Sequence, residues 1–252
     1  MVISEQTWQN YIERLRKVND QAAKEMFEYL ATHEWFRSKQ SQQAAVDFAF
    51  ALATKYGEAA AAAACEMYDA IAMASMGHMI RPAMPADTAT YGETAKSMYG
   101  TMKKTRNIEY IADSVGRLVK LAGVDTMMMN AMRDGAEWAW IPSGDSCAFC
   151  MMLSSRGWQR ASKKAIRNGH ARHVHANCDC TYAVRFDPYT NVEGYDPEEY
   201  LDKYNATGET KWQDKLKALR REHYAEHKDE INAQKRAAYA LRTGDSSKPW
   251  KY

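Results

Sequence analysis

From residue 4 to residue 134 apolar side chains return every three to four positions, and little besides a stack of amphipathic helices satisfies that spacing over such a length. Trp8, Ile12, Leu15, Val18, then Ala22 or Ala23, Met26 and Leu30 trace one face of a helix over 4–33, with Ser4 as its N-cap. A second helix covers 41–76, with Phe48, Leu52, Tyr56, Met67, Ile71 and Ala74 turned inward and Gly57 as a candidate kink. Six consecutive alanines, Ala59 to Ala64, combine high helix propensity with almost nothing to interlock. That stretch is expected to lie close against another helix. Residues 77–90, with Pro82 and Pro85, read as a loop. Helices follow over 91–103 and 108–134, with a candidate break at Gly123 and with Met127, Met128 and Met129 as core filler.

At Gly135 the texture changes. Glu137-Trp-Ala-Trp-Ile-Pro142 reads as a short strand ended by a proline turn, and Thr181 to Phe186 as a second one, rich in β-branched and aromatic residues. Residues 187–194 read as loop, 197–204 as a short helix, and 210 to about 241 as a long charged helix. The expected class is therefore mainly α with a small β element (α+β). Its parts would be a helical docking region over 1–135, a two-stranded Cys/His module over 136–190 and a C-terminal helical extension over 191–252.

Four of the five cysteines fall close together, as Cys147-x-x-Cys150 and Cys178-x-Cys180. In a reducing compartment such clustering points to metal rather than to disulfides. Zinc takes four Cys or His ligands in a tetrahedron, and a Cys-x-x-Cys turn aims two thiolates at one point. Cys147 and Cys150 supply that half. His175-Ala-Asn-Cys178-Asp-Cys180 offers three donors for two places, with His173 and His170 as weaker spares. Cys65, alone in the Ala-rich helix, reads as a small buried apolar residue. Enzyme signatures are missing: no His-x-Glu precedes Cys147, as a zinc deaminase requires. There is also no His-Glu-x-x-His and no Gly-rich phosphate loop. Four clustered thiols are, besides, a poor arrangement for one activated nucleophile.

The net charge of +2 hides an uneven distribution. Between Met151 and Cys178 stand Arg156, Arg160, Lys163, Lys164, Arg167 and Arg172, and no acid. Such a loop could neutralise several phosphates without reading base sequence; the competing account is a solvated face. Trp158 within it could stack on a base or anchor the loop to the core. The longest apolar run, Ala59 to Cys65, is far too short to span a bilayer. Met1 to Asp20 carries charges throughout and is not read as a signal peptide.

The stretch Trp140-Ile-Pro-Ser-Gly-Asp145-Ser-Cys147-Ala-Phe-Cys150-Met-Met-Leu-Ser-Ser-Arg156-Gly157, followed by His175-Ala-Asn-Cys178-Asp179-Cys180, resembles the core motif of MuF-like minor capsid proteins. The closest branch is that of phages of actinobacteria, which typically reads Trp, a short turn, Cys-Ala-Phe-Cys, a Leu-Ala-Ser-Arg-Gly-like run and His-x-x-Cys-Asp-Cys. The likeness is tight over 138–186 and loose in the helices before it and in Gly194-Tyr195-Asp196 after it. It implies a protein encoded near the portal and major head protein, incorporated in few copies at the portal or head interior. It implies bound zinc at positions among Cys147, Cys150, His175, Cys178 and Cys180, five candidates for four places. Reduced buried thiols, or a disulfide in the finished particle, are the competing states of these cysteines. Some relatives carry a head maturation protease, but no protease domain is evident here.

The expectation is thus a structural virion protein rather than an enzyme. It would be made in the host cytoplasm, placed in the capsid interior or at the portal vertex, and joined to the portal or major capsid protein. It would contact packaged double-stranded DNA without sequence preference, with no membrane and no small-molecule substrate. The alternative is a metal- or Cys-dependent processing enzyme, protease-like or nuclease-like. A zinc-binding regulator of the host lacks a recognisable helix-turn-helix or finger helix.

Overall fold

The computed structural model describes residues 2–78, 81–142, 148–162, 180–229 and 232–233. Its order is β1 (Val2–Ile3), α1 (Glu5–Thr32), α2 (Lys39–Met76), α3 (Tyr91–Lys104), α4 (Ile108–Asp134), β2 (Glu137–Ile141), α5 (Ala148–Ser154), β3 (Gln159–Arg160), β4 (Thr181–Arg185), β5 (Asn191–Val192), α6 (Pro197–Ala206) and α7 (Trp212–Glu226). The chain is mainly helical.

The long helices begin and end where local chemistry dictates. Ser4 accepts the amide of Thr7 at 3.2 Å and starts α1 as the sequence suggests. Ser38 and Ser41 form a reciprocal capping box at the head of α2. Gly135 takes φ 70°, the left-handed turn that lets α4 stop and the chain reverse into β2.

Helices α1, α2 and α4 pack on one another, and α3 lies against α2 and α4. The α1 stripe is buried as its spacing predicts at Trp8, Ile12, Leu15, Ala22, Met26 and Leu30, while Val18 is half-buried. Ala74, expected in the core, is exposed. Neither Gly57 nor Gly123 breaks its helix, because both α2 and α4 run uninterrupted through them. Their role is close approach. A Cβ on Gly123 would stand 3.3 Å from the Ala60 carbonyl oxygen, and one on Gly57 would stand 2.9 Å from Thr88 Cγ2. The alanine run therefore packs tightly against α4, as its smooth surface requires.

The β element is larger than the two strands read from the sequence. β2 pairs antiparallel with β4 on one side and with β3 on the other, giving the order β3-β2-β4. The register sets Trp140 opposite Tyr182 and Trp138 opposite Val184. Trp138 and Trp140 therefore share one face with Tyr182, whose ring meets theirs edge-on at 4.7 and 4.6 Å. Burying aromatics of this size contributes roughly 1.5–3 kcal/mol each. The sheet packs on α2 and α4, and Phe186 meets Tyr68 of α2 at 5.4 Å.

A second, parallel pair joins the chain start to a distant loop: Val2 opposes Asn191 and Ile3 opposes Val192. The Glu193 amide then donates to the Ile3 carbonyl at 3.0 Å, and the Glu193 carboxylate accepts the Glu5 amide at 2.8 Å. Residues 187–194, read as plain loop, thus contain a strand. The helix expected to run from 210 to about 241 is interrupted at His227, and residues 228–229 and 232–233 are again helical. α7 closes at Glu226, and His227 leaves helical geometry at φ −108°, ψ 17°. Residues 230–231 and 234–241 of that expectation lie outside the described residues.

Candidate functional site

Two of the five expected metal ligands are described. Cys150 sits on α5, a seven-residue helix where the sequence suggests a Cys-x-x-Cys turn, and Cys180 stands just before β4. Both are fully buried in the same core cluster. A tyrosine stands near each, buried Tyr182 by Cys150 and half-buried Tyr200 by Cys180. Burial pushes the Tyr182 phenol well up, with Asp125 and the Cys150 thiol adding to the effect. Burial likewise raises Tyr200, with Glu199 and Cys180 contributing.

α5 is held at its C-terminal end. The Ser154 hydroxyl donates to the Cys150 carbonyl at 2.8 Å, and the Tyr195 hydroxyl donates to the Ser154 carbonyl, also at 2.8 Å. Tyr195 belongs to the Gly194-Tyr195-Asp196 segment, so this bond ties α5 to the chain beyond β5.

Zinc needs soft donors shielded from water. Two buried thiols, one on each side of residues 151–179, fit that donor chemistry. Cys147, His175 and Cys178, and the spare His170 and His173, lie outside the described residues. Among the described residues no group of three or more His, Cys, Asp or Glu is arranged to hold a metal.

Of the basic segment, Arg156 and Arg160 are described, and both are exposed. Arg156 follows the end of α5, and Arg160 lies on β3 opposite Glu137. Lys163, Lys164, Arg167 and Arg172 lie outside the described residues.

Trp158 anchors this segment to the core. Its indole N–H donates to Asn191 Oδ1 at 3.2 Å, and its ring meets Tyr195 edge-on at 6.1 Å. The Arg185 guanidinium lies over the other part of this assembly, bonded to Glu137 through Nε at 2.7 Å and to the Pro188 carbonyl at 3.2 Å. The clamp of Trp158, Arg185, Glu137 and Asn191 escapes sequence reasoning. The available signal was an arginine and a glutamate at opposed ends of two strands, with a lone tryptophan in a basic run.

Cys65 departs from its expected role. It is half-buried and lines a cleft of about 600 Å³ between α2 and the loop around Pro85, beside Glu58, Glu66 and Asp87. Burial and the nearby Asp69 carboxylate push its thiol upward, away from the reactive thiolate. Among the described residues no helix is long and apolar enough to cross a membrane.

A family model described as VG15 protein matches residues 2–207, from β1 through the Cys/His segment to the end of α6. No curated protein and no solved structure matches the chain.

Proposed function

The chain belongs to the VG15 protein family, a family of viral gene products, and on that premise we propose that it is a structural minor head protein of a tailed bacteriophage, without catalytic activity. The observation that carries this is the extent of the match, which takes in the helical region and the Cys/His segment together. The motif from Trp140 to Cys180, similar to that of MuF-like minor capsid proteins, supports the finer assignment.

In this reading, residues 1–135 dock on the portal or the major capsid protein. Residues 136–190 form a module stapled by one structural zinc ion, drawn from Cys147, Cys150, His175, Cys178 and Cys180. Residues 191–252 serve as a C-terminal helical extension. A closed site of four protein ligands has no open position for water or substrate, so its energy goes into folding rather than chemistry. The basic segment from Arg156 to Arg172 faces packaged DNA and neutralises phosphates non-specifically. The protein resides in the capsid interior or at the portal vertex.

The decisive experiment is quantitative mass spectrometry of gradient-purified particles of the phage that encodes it. The chain is expected in a few copies per particle, far below the major head protein and cofractionating with the portal. Its absence from mature particles and from isolated heads overturns the assignment.

A further inference from the structure

α7 turns Leu216 and Leu219 into the core, and the helix packs on α5, which carries Cys150. His223 stands four residues beyond Leu219, and His227 four beyond that. Side chains at this spacing lie one above another on a single helix face. The two histidines therefore prolong the buried stripe of α7.

Their imidazole rings lie 4.7 Å apart between centroids with planes inclined by 38°. Nε2 of His223 is shut off from solvent, and it has no hydrogen-bond partner. Both rings are half-buried, and the helix ends at His227. A buried ring nitrogen with nothing to bond is a group that a ligand would satisfy.

We propose that His223 and His227 together hold a divalent transition-metal ion of the zinc or nickel class, each through one ring nitrogen, with water completing the coordination. Three physical points converge on it. Two imidazoles four residues apart, one in the last turn of a helix and one at its C-cap, can offer such ions a bidentate donor pair. Imidazole is the ligand type these borderline ions prefer, at about 2.0–2.1 Å for zinc, a reach two adjacent rings can share. The site lies at the C-terminal end of α7, the end of a helix whose dipole favours a cation. Bound there, the ion staples the final turn of α7 and holds the helix end in place over α5. The proposal uses none of the cysteines as ligands and does not rest on the head-protein assignment.

The test uses the full chain, tag-free and as purified, titrated calorimetrically with nickel chloride in a non-chelating buffer near neutral pH. One Ni²⁺ per chain is expected to bind. His227→Ala and His223→Ala should each weaken binding by at least about tenfold, the double variant should abolish it, and Cys147→Ser should leave it unchanged. A second readout needs no variant: Ni²⁺ should protect both histidines from carbethoxylation by diethylpyrocarbonate, mapped by mass spectrometry. Absence of Ni²⁺ binding at about 1 mM overturns the site, as does wild-type binding by the double variant or equal modification of both rings with and without the ion. Zinc that stays with the double variant as purified reports on the cysteines. If it is absent while the nickel site persists in the wild type, only the zinc staple fails.

Discussion

The guanidinium of Arg185 lies 4.7 Å from the centre of the Trp158 ring. The same group reaches Glu137 at 2.6 Å, and its side chain is largely buried. Arginine presents a flat cation that can stack and fork at once, which lysine cannot do. Arg185→Lys should therefore cost about 1 kcal/mol, and Trp158→Ala about 2–3 kcal/mol through lost packing. Urea denaturation of the two variants gives both values. If Arg185→Lys unfolds at the wild-type midpoint, the stacking contributes nothing.

Alanine substitution should act with opposite sign at two helical glycines. At Gly123 the new methyl would press on the Ala60 carbonyl oxygen at 3.3 Å, and the resulting shift is expected to cost about 1–3 kcal/mol. At Gly100, on α3, a Cβ meets nothing within 4 Å. Gly100→Ala should gain about 0.5–1 kcal/mol from backbone entropy alone. Thermal melts that move in the same direction for both would contradict the close approach of α4 to α2.

Acid should weaken the fold through Asp134. A hydrogen bond from Arg133, helped by one from the Tyr68 hydroxyl at 2.9 Å, holds this carboxyl below its ordinary value. A carboxyl depressed in the folded state stabilises fully above its unfolded value, about 3.9, and that stability is lost as pH falls through the lower folded value. Asp134→Asn should be less stable than the wild type at neutral pH, and the gap should close on acidification below about pH 4. A gap that stays constant with pH would show that the charge is immaterial.

The cysteines should separate by position. Cys65 is half-buried at a cleft, so Cys65→Ser should change stability by about 0.5 kcal/mol or less. Cys150 is fully buried, and Cys150→Ser should cost about 1–3 kcal/mol from the hydroxyl alone. With zinc present the loss is larger, and bound metal falls from about one equivalent per chain towards none. Elemental analysis beside each melt distinguishes the two cases. Equal losses for both variants would count against Cys150 as a ligand.

DNA contact should read as salt dependence. If about four phosphates are neutralised, the logarithm of affinity for mixed-sequence duplex should fall against the logarithm of salt with a slope of roughly −3 to −4. Changing Arg160, Lys163, Lys164 and Arg167 together to Ser should flatten that slope. An unchanged slope would make the segment a solvated or protein-docking face.

Much of the helical frame was legible because helix periodicity is local. The bounds of α4 emerge as read, and those of α1 and α2 within two residues, since spacing and caps are set by neighbours a few positions away. Of the Cys/His segment, the burial of Cys150 and Cys180 is what the structure adds to composition and spacing. What escaped was short or remote. β1, β3 and β5 have two residues each and carry no period, and β1 exists only because Asn191 and Val192 are brought to it. α5, at seven residues, is below the length at which a helix forms without tertiary support.

By itself, then, the sequence determined that this chain would be mainly helical and where its first four helices would start and stop, within two residues. Only the tertiary structure decided what the exceptional residues are for. Gly57, read as a candidate kink, and Gly123, read as a candidate break, are points of close approach; Cys65 looked buried and borders a cleft; Trp158, with a base or the core as its two alternatives, is held against the core beneath Arg185. The imidazoles of His223 and His227 became a pair once Leu216 and Leu219 fixed the face that α7 buries. Periodicity and propensity act over one or two turns, whereas a close approach, a cleft or a stacked cation depends on which distant surface arrives opposite, and only packing sets that.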